Sequence, residues 1–86
     1  MNFMNFGQAL EALKSGQSVQ RAGWNGKGMH IYLEDALTEK IGAGVFKGHE
    51  RKREAHVCMF TADQKHQPGW LASQADMLAD DWQIVS

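Results

Sequence analysis

The chain has 86 residues and a formal net charge of −1, so it is one domain with no overall field to recruit nucleic acid or an anionic membrane. Three tryptophans, four phenylalanines and five methionines against 22% charged residues allow a real core and argue against disorder. A domain this small has a marginal core, which makes oligomerisation an expectation.

The single cysteine, Cys58, has no partner for an intrachain disulfide and fits a reducing compartment. No apolar run approaches the roughly 20 residues that span a bilayer. The start "MNFMNFGQAL" carries neither a basic leader nor an apolar segment, so a soluble intracellular protein is expected.

Taken in chain order, the first element is an amphipathic helix. Phe6, Ala9, Leu10 and Leu13 fall on one face. Asn5 is a good N-cap, Gln8 completes a capping-box pattern, and Gly16 supplies the left-handed residue that ends the helix after Lys14. With Asn5 as cap, Met1-Asn2-Phe3 repeats the start, Met4 is an alternative initiator, and the first three residues are expected to be loose.

After Gly16 the period falls to two. "SVQRA" (18–22) predicts a short strand, and Asn25-Gly26 is a strong signal for a two-residue hairpin. "MHIYLE" (29–34) then alternates, with Met29, Ile31 and Leu33 facing a core and His30, Tyr32 and Glu34 facing away. Residues 35–55 read poorly as either element: Gly42, Gly44 and Gly48 break any helix and "HERKRE" is a solvated mixed-charge run. A functional or weakly ordered loop is expected there.

"HVCMFTA" (56–62) predicts a strand that "DQK" (63–65) turns back towards "HQPGWLAS". Ser73 opens a short helix with Asp76 in the capping-box position and Met77 and Leu78 as its apolar contacts. Trp82, Ile84 and Val85 close the chain as a strand. The expected fold is α+β: an N-terminal helix packed on a small antiparallel sheet, with a short second helix before a C-terminal strand.

Catalysis finds little support. Cys58, between Val57 and Met59 in a predicted strand, reads as a small core residue and not as a nucleophile. His30, His49, His56 and His66 lack the H-x-x-x-H or C-x-x-C spacing of a metal site, so solvated histidines and no metal are expected. Asp80 and Asp81 are adjacent, and on a strand they point to opposite faces. No nucleophile–base pair emerges, and no cofactor is implied.

Two stretches suit binding. In "RAGWNGKGM" (21–29), glycines let backbone N–H groups approach an anion, Arg21 and Lys27 offer charge, and Trp24 offers a face for a nucleobase. The same residues also make a plain hairpin with a core tryptophan and a solvated lysine, and nothing local separates the two readings. In "PGWLASQADMLADDW" (68–82), capping accounts for Ser73 and Asp76, core packing suits Trp70 and above all Trp82, and Gln74 is left to meet a ligand.

Together, R-x-G-W-N-G-K-G followed by W-L-A-S-Q-x-D-M-L-x-x-D-W resembles the small phage and prophage family of Thoeris anti-defence sponge proteins of the second type. The likeness covers Met4 to Gly28 and about Val57 to Val85; the middle region departs from it. It implies a non-enzymatic homo-oligomer, typically a tetramer. Such a protein sequesters the cyclic ADP-ribose isomer made by an immune TIR-domain protein in the host bacterial cytoplasm, and keeps the effector from being triggered. Some members also hold cyclic di- or trinucleotides at a separate site. On this likeness the ligand-binding candidates are Arg21, Trp24, Asn25, Gly26 and Lys27 from the first motif and Trp70, Ser73, Gln74 and Asp76 from the second. The partners implied are the cyclic nucleotide and further copies of the chain, with no DNA and no membrane. The alternative is an interaction module that uses its tryptophans to bind a host defence protein without a small ligand.

Overall fold

The computed structural model describes residues 3–24 and 28–85. Helix α1 spans Phe6–Lys14. The Asn5 carboxamide accepts from the Gln8 N–H at 2.8 Å, and the Gln8 side chain accepts from the Asn5 N–H at 2.9 Å, the reciprocal cap expected from the sequence. At the other end Gly16 has φ +93°, and the Gly16 and Gln17 N–H groups bond back to Leu13 and Ala12. Ala9, Ala12 and Leu13 are buried, while Phe6 and Leu10 are partly buried against them.

The main sheet contains β1 (Val19–Arg21), β2 (His30–Glu34), β5 (His56–Phe60), β6 (His66–Pro68) and β7 (Trp82–Ile84), in the order β6-β5-β2-β1-β7 with antiparallel neighbours. The predicted alternation holds in β2: Ile31 is buried and Leu33 packs on the α1 core, which also contains Val19 and Trp82. Met4 forms a β-bridge with Trp82, its N–H donating to the Trp82 carbonyl at 2.7 Å. The chain is thus anchored from Met4 onward. Phe3 is exposed, and Met1 and Asn2 lie outside the described residues.

Residues 35–55 are not a loop. They form β3 (Leu37–Lys40) and β4 (Glu50–Arg53), paired antiparallel. Solvent meets both faces, so the apolar alternation that marks a strand is missing; charges placed across the ladder replace it. Glu39 lies opposite Arg51 and takes its guanidinium, with Arg53 3.5 Å away. The Arg51 hydrogen bond holds the Glu39 carboxyl below its ordinary range. The connection is closed by Gly48 N–H to Ile41 at 2.7 Å and Ile41 N–H to His49 at 2.9 Å, with Gly44 and Gly48 at φ +84° and +86°. Glu34 pairs with His56 and, three positions on, Leu37 pairs with Arg53. The hairpin therefore continues the β2–β5 ladder in register beyond a short unpaired gap. It forms an arm on a molecule 49 × 26 × 24 Å in extent.

Two further expectations need correction. The second helix, α2 (Gln74–Leu78), has the predicted cap but buries no residue, and Met77 and Leu78 are exposed. Little more than one turn cannot present an apolar stripe; caps and polar contacts hold it instead. His30 and His56 are half-buried and not solvated; His30 stacks on Phe60 with ring centroids 5.1 Å apart. Cys58 is buried as expected, but its pairing with Tyr32 puts it on the sheet face turned away from α1.

Candidate functional site

β1 and β7 pair with Arg21 opposite Trp82, which carries the Arg21 side chain towards α2. Its Nη1 donates to Asp76 Oδ1 and its Nε to Asp81 Oδ1, both at 3.0 Å. Asp76 is also half of the α2 cap. Its Oδ2 accepts from the Ser73 N–H at 3.0 Å, its own N–H donates to Ser73 Oγ at 3.1 Å, and its carbonyl accepts from Trp82 Nε1 at 3.0 Å. Burial pushes the Asp76 carboxyl upward, but the Ser73 N–H, the Arg21 guanidinium and the Ser73 hydroxyl outweigh it and hold the group below its ordinary range.

Above this ionic base sits an aromatic cluster. Trp82 is fully buried and meets Trp24, Trp70 and Phe6 at centroid distances of 5.5, 6.2 and 5.6 Å. Trp24 and Trp70 lie 6.2 Å apart, edge to face, a favoured aromatic geometry. Both are half-buried, so each is fixed on one side and free on the other. A turn with the Trp24 N–H bonded to the Arg21 carbonyl places the first. For the second, Gly69 at φ +80° lets two successive N–H groups, of Gly69 and Trp70, reach the Val57 carbonyl.

The fold therefore gathers Arg21, Trp24, Trp70, Ser73 and Asp76 from two distant segments. Gln74 is exposed on α2. Asn25, Gly26 and Lys27, and with them the predicted two-residue turn, lie outside the described residues. Asp81 was missed as a site residue: its role follows only from the β1–β7 register, which turns it to Arg21 while Asp80 stays exposed. Two Arg21 guanidinium nitrogens, Nε and Nη1, are engaged by Asp81 and Asp76, so the guanidinium braces β1 against α2. The cluster leaves two indoles partly open to solvent. A separate shallow concavity, lined by Ala36, Leu37, Lys52 and Arg53, lies at the root of the arm.

The profile of the Thoeris anti-defense 2-like domain family matches residues 4–85. The chain is 44% identical to "Thoeris anti-defense 2" of Bacillus phage SP01, the match covering 96% of each chain.

Proposed function

Because the chain belongs to the Thoeris anti-defense 2-like family, whose name assigns it to anti-defence, we propose that it binds and sequesters a cyclic nucleotide signal, a cyclic ADP-ribose isomer, without altering it. The observation that carries this reading is the convergence of Trp24 and Trp70 on the buried Trp82. An adenine nucleotide presents a planar base, and stacking on an aromatic side chain contributes about 1–3 kcal/mol. Gln74 can donate and accept at the base or ribose edge. Lys27 of the first motif supplies charge for the pyrophosphate, and Arg21, braced by Asp76 and Asp81, keeps the two indoles in place.

Leu71, next to Trp70 in the chain, and Leu78 of α2 are 88% and 81% exposed and give a second copy apolar side chains to cover; the sponge is a homo-oligomer on this reading. They suit a host protein equally, as do the half-buried Trp24 and Trp70 on which the interaction-module alternative rests. Among the described residues no helix is long and apolar enough to cross a membrane.

The deciding experiment mixes the protein with a cyclic ADP-ribose isomer, removes free nucleotide, denatures the protein and identifies what is released by mass spectrometry. Intact ligand in stoichiometric amount supports the sponge. An opened or cleaved product accumulating with time makes the protein an enzyme, and no retained nucleotide leaves the interaction module.

A further inference from the structure

On the sheet face turned away from α1, three side chains converge that the sponge reading does not use. Glu34 of β2 lies opposite His56 of β5, and Cys58 is two residues along the same strand, so alternation puts all three on one face. A carboxylate oxygen, the imidazole Nε2 and the thiol Sγ lie within 4.8 Å of one another. Cys58 Sγ donates to Glu34 Oε2 at 3.1 Å, and His56 Nε2 lies 3.6 Å from the same oxygen.

The imidazole is oriented from behind. His56 Nδ1 is 2.9 Å from the Glu54 carbonyl, which only accepts, so Nδ1 carries the proton. In the neutral ring Nε2 then holds a lone pair. That nitrogen is buried and has no hydrogen-bond partner among the described residues, an uncommon and costly state for a polar atom. A backbone carbonyl behind Nδ1 is also the usual support of a metal-ligating histidine.

We propose that Glu34, His56 and Cys58 form a site for a divalent transition-metal ion of the zinc type, at the root of the arm. Tetrahedral zinc with bonds of about 2.0–2.3 Å sets its ligand atoms roughly 3.3–3.8 Å apart, close to the spacings around Glu34 Oε2. Mixed sulfur, nitrogen and oxygen donors favour zinc over the hard cations magnesium and calcium. On binding, the Sγ–H···Oε2 hydrogen bond gives way to metal–sulfur and metal–oxygen bonds, and the thiol proton leaves to solvent. Thiolate and carboxylate then neutralise the dication, and a fourth position stays open to water. Glu34 and His56 are the last pair of the β2–β5 ladder, so the ion clamps the ribbon where its pairing stops. None of this rests on the sponge reading.

The test titrates chelator-treated full-length protein with Zn²⁺ and, separately, Co²⁺. The expected result is one metal per chain by elemental analysis, a near-ultraviolet thiolate-to-cobalt charge-transfer band, and a zinc-dependent rise in Tm. Cys58→Ser and His56→Gln remove the band or weaken binding at least about tenfold, the effect of losing even a supporting residue around a metal. His49→Gln, at the end of the arm, changes nothing. Should Cys58→Ser fail to fold, Glu34→Gln on a half-exposed side chain must weaken binding likewise. No uptake by the parent overturns the site. So does uptake without the thiolate band, or uptake indifferent to His56→Gln and Glu34→Gln.

Discussion

Arg21 and Asp76 are 55 positions apart in the chain and 3.0 Å apart in the fold. Their ion pair, half-buried and shared with Asp81, joins the first motif to the second. Arg21→Ala leaves both carboxylates without their cation, so Tm falls and α2 loses its tie to β1. Arg21→Lys keeps the charge but has no fork to reach both acids, so it recovers only part of the loss. For the cyclic nucleotide the expected weakening is about tenfold or more in Arg21→Ala. Calorimetric titration and thermal melts on both variants check this. An Arg21→Ala protein that melts and binds like the parent removes the brace.

The three tryptophans divide by burial. Trp82 is fully buried, and Trp82→Ala should cost about 3–5 kcal/mol, a large share of the roughly 5–15 kcal/mol that holds a small domain. Trp24→Ala and Trp70→Ala expose less core; the variants stay folded with a lower Tm and bind the nucleotide roughly 10- to 100-fold more weakly. Circular dichroism separates the unfolded variant from the two binding-deficient ones. Unchanged affinity in both would move the ligand away from the indole cluster.

Acid should act through Asp76. Its carboxyl titrates lower in the folded protein than in the unfolded chain, so its stabilising contribution is complete above the unfolded value of about 3.9. That contribution is lost as pH falls towards and through the lower folded value. Asp76→Asn is thus less stable than the parent at pH 7, and the gap narrows on acidification. Ser73→Ala, which removes the other half of the cap, costs about 0.5–2 kcal/mol at pH 7, and the part of that cost due to the hydroxyl bond on the Asp76 carboxyl also fades in acid. Urea midpoints measured at pH 7 and in acid decide the matter; a gap between parent and Asp76→Asn that widens in acid contradicts the assignment.

The exposed leucines make an assembly prediction. Leu71 and Leu78 present bare apolar side chains, and α2 buries nothing of its own. Sedimentation at micromolar concentration should find more than one chain per particle, and Leu78→Asp should reduce it without lowering Tm steeply. A parent that is strictly monomeric counts against the homo-oligomeric sponge.

Local hydrogen-bond chemistry made the frame legible. The caps at Asn5–Gln8 and Ser73–Asp76 lie within four residues, and the alternation of β2 lies within six, so a short window contains the whole cause. The arm was not legible because its stabilising partners, such as Glu39 and Arg51, face each other across the ladder. "LTEK" and "ERKR" carry no sign of this separately. The candidate site divides in the same way. Its tryptophans stand out by type, but the seat of Arg21 between Asp76 and Asp81 appears only once β1 lies beside β7. Glu34, His56 and Cys58 escape a search for linear metal spacing because their third member comes from another strand.

The unbroken register between the sheet and the arm has a bearing on which length changes the chain tolerates. Two unpaired residues on one side, 35–36, face two on the other, 54–55. A single-residue insertion in one of them would leave β3 and β4 paired through their own turn but put the arm one residue out of phase with β2 and β5, so that it no longer continues the ladder of the sheet. Changes that add or remove residues in matched numbers on both sides, or at the tip between Ile41 and His49, leave the pairing in phase. The distal ribbon is in this sense a replaceable cassette, able to be lengthened, shortened or exchanged while the tryptophans and their ionic seat stay where they are.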